Sequence, residues 1–232
     1  MSKKPALNNV KNAFHSKIES SVGLFATLKP FATELAWDGI HGWEPIHPEQ
    51  AKKIFSLAFL DVLVGWEDFI AACFIRYLAG AKAPSGYCPR LRTGECESIK
   101  HAYEVLSGIE GFDPLKRFLR WSSWNEILQK ARIFFENGEP FSSVTDQERQ
   151  RLNDAFIIRN RVAHSSEKCR HDFKRISRQH LGIPDGGKIK RGYSVGALLL
   201  EISSRGFGKV EKDHFFMNYM NLFFQLADKI AP

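Results

Sequence analysis

The sequence predicts an all-α protein, a bundle of four to five main helices with an N-terminal helical extension. Three observations carry this. Apolar residues recur every three or four positions along nearly the whole chain, the period of an amphipathic helix. The stretch 54–79 is apolar around most of its circumference, as a helix in the middle of a bundle must be. Clusters of glycine and proline mark the loops between helical segments, as at 80–96 and 184–187. At 232 residues, 44% hydrophobic and 25% charged, the chain can bury a real core without disulfides and does not have the composition of a disordered protein.

Val10, Phe14, Ile18, Val22 and Phe25 place one or two amphipathic helices over 8–35. Residues 37–47 form a connector dense in Gly, Pro and Trp. Pro48 suits the first turn of a helix running to about Ala79. Gly80, Pro84, Gly86, Pro89 and Gly94 make 80–96 a loop. Shorter helices are expected at 97–107, 113–121 and 123–136, the last ended by Asn137, Gly138 and Pro140. Thr145 and Glu148 have capping-box spacing and open a long helix through about Ser165. A basic helix at 167–180 is stopped by Gly182 and Pro184, and residues 184–187 form a turn. Residues 193–202 fit either a short helix or an extended segment. The final helix, 211–230, gathers Phe215, Tyr219, Leu222, Phe223, Leu226 and Ile230 on one side. The chain reads as an extension over 1–47 and a bundle over 48–232, a single domain overall.

The net charge of +7 gains meaning when it is located. Residues 168–191 hold eight basic side chains and two acidic ones, so six of the seven excess charges sit in 24 residues. A localised excess is the footprint of an anion-facing patch, with nucleic acid the first candidate; the alternative is a solvated helix face. Lys168, Arg170, Lys174, Arg175 and Arg178 are the candidate RNA contacts. The four cysteines, Cys73, Cys88, Cys96 and Cys169, are read as reduced thiols and the protein as cytoplasmic, because the first residues lack an apolar signal region. Asp61, Glu67, Asp68 and Arg76 interrupt the most apolar stretch, so no membrane association is expected.

The chemistry concentrates at the end of the helix that starts near Thr145. Residues 158–165 read Ile-Arg-Asn-Arg-Val-Ala-His-Ser. At about 100° per residue, Asn160 and His164 are about 40° apart and share a face. Arg161 neighbours His164, and Arg159 can sweep toward the same edge. A guanidinium binds phosphate bidentately and stays charged. An imidazole titrates near neutrality and moves a proton. Together they could cleave RNA without metal, with the His taking the 2′-hydroxyl proton and the Arg stabilising the phosphorane oxygens. One helix offers one His, so a complete acid–base pair calls for a homodimer. The plainer alternative pairs Arg159 with a carboxylate and leaves His164 to cap the helix C-terminus.

This segment resembles the signature of the HEPN superfamily (higher eukaryotes and prokaryotes nucleotide-binding), whose ribonuclease members carry Arg, a polar residue that is often Asn, and His four to six residues later. Arg159, Asn160 and His164 match with four intervening residues. The resemblance implies an all-α bundle that dimerises and acts as a metal-independent endoribonuclease on RNA, in a toxin or antiviral defence role. It places catalysis on Arg159 and His164, gives Asn160 a positioning role, and leaves Arg161 in support. Residues 64–70 resemble an early helix that often carries an acidic residue facing the motif, which points to Glu67, with Asp68 as the alternative. An antitoxin or sensor partner would be in keeping with the family. The branch paired with nucleotidyltransferase antitoxins commonly has Tyr two residues after the His; here that residue is Ser166, so silencing through that tyrosine is not expected.

Other chemistries find little footing. Cys88, Cys96, Cys169 and His171 match no common zinc spacing, and neither a metal nor a cofactor is expected. There is no P-loop, dinucleotide fingerprint or nucleophile elbow. His41, His47, His101, His180 and His214 stand alone. No helix-turn-helix pattern precedes the basic helix, which argues against DNA. A non-catalytic helical module that dimerises or binds a nucleotide or partner protein is the competing function.

Overall fold

A computed structural model describes residues 6–32, 46–117, 119–121, 123–184, 186–203 and 213–232. The expected connector over 37–47 lies outside these up to residue 45, as do the opening residues 1–5, Asp185 of the 184–187 turn, and 211–212 at the expected start of the last helix. The described residues form eight α-helices: α1 (Asn8–Leu28), α2 (Pro48–Leu78), α3 (Ile99–Ser107), α4 (Trp124–Phe134), α5 (Asp146–Ala163), α6 (Glu167–Leu181), α7 (Val195–Leu200) and α8 (Phe215–Ile230). They contain no strand, only the isolated bridges Leu91–Phe135 and Ile202–His214. The all-α prediction holds.

Local chemistry sets the helix ends. Pro48 occupies the first turn of α2, where a missing N–H is harmless, and His47 Nδ1 accepts the Glu49 N–H at 3.2 Å. Thr145 and Glu148 form a reciprocal capping box: Glu148 N donates to Thr145 Oγ1 at 3.3 Å, and Thr145 N donates to Glu148 Oε2 at 2.9 Å. Ser166 Oγ accepts the Cys169 N–H at the start of α6. Gly182 ends α6 in the left-handed conformation, with φ 67°. Ser194 caps α7 through the Ala197 N–H, which resolves the ambiguous 193–202 segment as a short helix.

The described residues of 113–121, which leave out Phe118, depart from the predicted helix. Lys116 N and Arg117 N both bond back to Asp113 O, and Asp113 Oδ1 takes the Leu115 N–H, so a single turn forms and stops. Leu115 is 94% exposed, so the turn has no apolar face to bury and nothing to support its propagation. The buried ring of Trp121 instead packs on Phe74 at 5.3 Å.

The chain clusters into two compact units. The first unit takes residues up to 16, 65–153 and 224–232. Its core is aromatic. Phe14 lies against Trp66 and Phe69, Trp66 stacks on Trp124 at 6.0 Å, and Phe74 meets Phe135 and Phe141 at about 5 Å. The 80–96 loop is tied down by backbone bonds, Cys96 N to Leu78 O, Arg92 N to Phe134 O, and Glu136 N to Arg90 O. The chain's end is strapped in as well: the buried Tyr77 hydroxyl donates to Ile230 O at 2.7 Å, and Lys11 Nζ donates to Ala231 O and pairs with Asp228.

The second unit takes residues 17–64 and 154–223. Phe25 stacks on Phe216 at 4.6 Å and lies 4.8 Å from Phe55, while Phe59 meets Tyr219 edge-on. Ile158, Phe173, Ile176, Leu198 and Leu199 complete this core. Helix α7 approaches the α2 backbone so closely that a Cβ on Gly196 would lie 1.9 Å from Lys52 O. Only glycine fits there without displacement.

These contacts set two expectations for stability. Gly196→Ala forces α7 away from α2 and lowers stability by about 2 kcal/mol in urea unfolding, the scale of an overpacked core. The second concerns Glu148. Burial raises its carboxyl, but bonds from Lys229 and Thr145 outweigh burial and hold it below its ordinary 4.5. A carboxyl depressed on folding stabilises above its unfolded value and loses that contribution as pH falls through its folded value. The stability difference between the natural protein and Glu148→Gln is therefore largest near neutral pH and shrinks progressively below pH 4.5.

Candidate functional site

The last turn of α5 brings the motif residues together. Ala155, Phe156 and Ile158 anchor the helix in the core. Past them the helix emerges: Arg159, Asn160 and Arg161 are half-buried and His164 is exposed. Arg159 Nη1 donates to Asn160 Oδ1 at 3.2 Å, and its Nε is sealed from solvent. The His164 N–H donates to Asn160 O at 2.9 Å, closing the final helical turn. Arg161 Nη1 donates to His164 O at 3.3 Å. Asn160 thus holds the guanidinium of Arg159 with its side chain and the backbone of His164 with its carbonyl. An exposed imidazole and a braced guanidinium on adjacent turns suit a phosphate and a proton-bearing group beside it.

A short break separates α5 from α6, and α6 sorts the predicted cations by role. Lys168 bonds Asp172 at 2.8 Å and Arg170 bonds Glu167 at 2.7 Å. Arg178 is a structural residue: its Nε donates to Gly187 O at 2.9 Å and pins the loop beyond α6. Lys174 and Arg175 are exposed. Arg161, Arg170 and Lys174 line a groove of about 490 Å³ together with Lys190 and Arg191 of the post-α6 loop. Phe173, Ile189 and Tyr193 supply its apolar walls. Among the described lining residues there are five cations and no carboxylate. Lys168, Arg175 and Arg178 do not line it. The charge excess of 168–191 already contains Lys190 and Arg191. Their place is hidden in the sequence because the helical period stops at Gly182 and gives no bearing for the loop past it. Tyr193 carries no sequence signal at all.

Beneath this surface, α5, α6 and α8 meet around buried polar groups. Asp154 is fully buried. His180 Nε2 lies 3.8 Å from Asp154 Oδ2 and 3.2 Å from the Tyr219 hydroxyl, with the Phe215 ring 4.9 Å from the imidazole. His180 is therefore a core histidine that locks the far end of α6 in place.

Glu67 is on α2 in the first unit, half-buried, with Oε1 sealed from solvent, and Asp68 is exposed. His47 caps α2, His101 Nδ1 accepts the Glu97 N–H, and His214 Nδ1 meets Leu200 O. His41 lies outside the described residues. Among the described residues no group of three His, Cys, Asp or Glu could hold a metal ion, and no helix is long and apolar enough to cross a membrane.

No protein-family model, no curated protein and no solved structure matches the chain.

The Asp154–His180 contact sets a prediction. Asp154→Ala leaves the buried imidazole without its carboxylate and lowers global stability by about 3 kcal/mol, the scale for breaking a buried pair. Urea unfolding measures this, and proteolysis should cut first within 181–193.

Proposed function

We propose that the protein is a metal-independent endoribonuclease of HEPN type. The observation that carries this reading is the last turn of α5, where an exposed His164 and an Asn160-braced Arg159 stand beside a groove of five cations. In this reading His164 takes the proton of an RNA 2′-hydroxyl, and the oxygen attacks the adjacent phosphorus. Arg159 stabilises the charge that develops on the phosphorane oxygens. The 5′-oxygen leaves with a proton from a second imidazole, giving a 2′,3′-cyclic phosphate and a 5′-hydroxyl. The second imidazole would be His164 of another copy, so the working unit is a homodimer. Cleavage of cellular RNA by such a site fits a toxin or antiviral role in the cytoplasm, restrained by an antitoxin or sensor partner. Glu67 is assigned a supporting part on the strength of the family resemblance.

The test is RNA cleavage in excess EDTA, with product ends identified by mass. His164→Ala and Arg159→Ala should each lower the rate by about a hundred- to ten-thousand-fold. Equal cleavage by both variants and the natural protein overturns the catalytic assignment. A stable dimer that cleaves no RNA favours the non-catalytic helical module.

A further inference from the structure

The cationic groove differs from the basic helix face expected from sequence. Its charges come from three elements: Arg161 from the end of α5, Arg170 and Lys174 one turn apart on α6, and Lys190 and Arg191 from the loop beyond. Arg178 holds that loop through Gly187 O, and Tyr193 N bonds Lys190 O at 3.1 Å, so the loop cations are positioned and not trailing. Tyr193 forms part of the wall, its hydroxyl directed to Glu201 Oε1 at 3.4 Å, and burial raises the phenol well above its ordinary value, so it stays neutral. Arg161 both lines the groove and donates to His164 O. The groove therefore begins at the motif. On the other side of the Lys190–Tyr193 loop a second recess includes Glu49 and Glu201 among its lining, and its mixed charge does not suit a polyanion.

A recess with cations along it and aromatic surface within it is the arrangement that tracks an unpaired strand, with phosphates on the cations and a base against the ring. A duplex presents its phosphates on a convex rod with the bases stacked inside, and it cannot offer a planar face to Tyr193. We infer that this groove holds the single-stranded RNA flanking the scissile phosphate, with Arg161, Lys174, Lys190 and Arg191 on successive phosphates and Tyr193 against a base. The inference rests on the ribonuclease reading for the identity of the polymer, and on the groove alone for single-strandedness. Arg170, shared with Glu167, is the weakest contributor.

The experiment measures fluorescence anisotropy of a labelled 2′-O-methyl 12-mer, which has no 2′-hydroxyl to attack, with the natural protein. The single strand should bind at least tenfold more tightly than the same strand annealed to its complement. Lys190→Glu with Arg191→Glu should weaken binding at least tenfold and flatten the salt dependence of log K by about 1.4, two contacts at about 0.7 each. Lys100→Glu with Lys116→Glu, the same charge change at exposed sites in the first unit, should leave binding unchanged. Equal loss in both double variants overturns the groove, because net charge then explains the binding. Duplex binding as tight as single-strand binding overturns it too, as does displacement by adenosine triphosphate at equal affinity. Groove-dependent binding without His164-dependent cleavage of natural RNA supports the groove and overturns the ribonuclease reading. His164-dependent cleavage untouched by Lys190→Glu with Arg191→Glu overturns the groove alone.

Discussion

A carboxylate shielded from solvent costs several kcal/mol unless neighbouring groups answer its charge and lone pairs. Asp154 is so shielded, and the arrangement of the second unit depends on how it is met. His180 at the far end of α6 reaches within 3.8 Å, and Tyr219 of α8 bonds the same imidazole nitrogen at 3.2 Å. Phe173 and Ile176 of α6 are buried in this core, as is Ile158 of α5. With its far end locked and its near end capped by Ser166, α6 has little freedom to turn about its axis. That rotation decides which of its cations face the groove and which face water.

The break between α5 and α6 is equally constrained. Helix α5 closes on the Asn160 carbonyl, and Ser166, two residues after His164, caps a new helix. A continuous helix would have carried the basic residues along the α5 axis, away from Arg159. The break turns the chain so that Arg161, Arg170 and Lys174 face one recess. The local excess of charge is then divided by partner. Asp172 takes Lys168, Glu167 shares Arg170, and Gly187 takes Arg178. A ligand is left with a smaller set of cations than the composition suggests, gathered in one recess.

This division explains how far the sequence can be read. Helix periods and caps are local, so α2, α5, α6 and α8 are legible from apolar spacing, from Pro48, and from Thr145 with Glu148. The motif turn is legible for the same reason, since Asn160 and His164 are four residues apart on one helix. The segment 113–121 misleads because the helical apolar period suggests a helix, while Asp113 closes a single turn and Trp121 is held by Phe74. The groove is only half legible. Lys174 faces it and Arg175 does not, a difference set by the buried contacts of Phe173, Ile176 and His180 across sequence-distant elements. Lys190, Arg191 and Tyr193 reach it through a loop whose path is fixed by Arg178, and no periodicity encodes such a path.

Arg161 is where the two halves of the site meet. Its Nη1 occupies the carbonyl of His164 while its side chain lines the groove. Charge neutralisation here therefore acts on the backbone that carries the imidazole as well as on any bound phosphate. The other groove cations have no such tie to the motif turn. Lys190 and Arg191 belong to a separate loop anchored to α6, and Lys174 stands on an α6 face whose orientation is set by buried packing. Arg159 and Asn160, in turn, are linked to each other through their side chains. Binding and chemistry are thus carried by groups with separate structural supports, joined at one residue. Loss of the loop cations should leave the geometry of Arg159, Asn160 and His164 intact, whereas loss of Arg161 should disturb both.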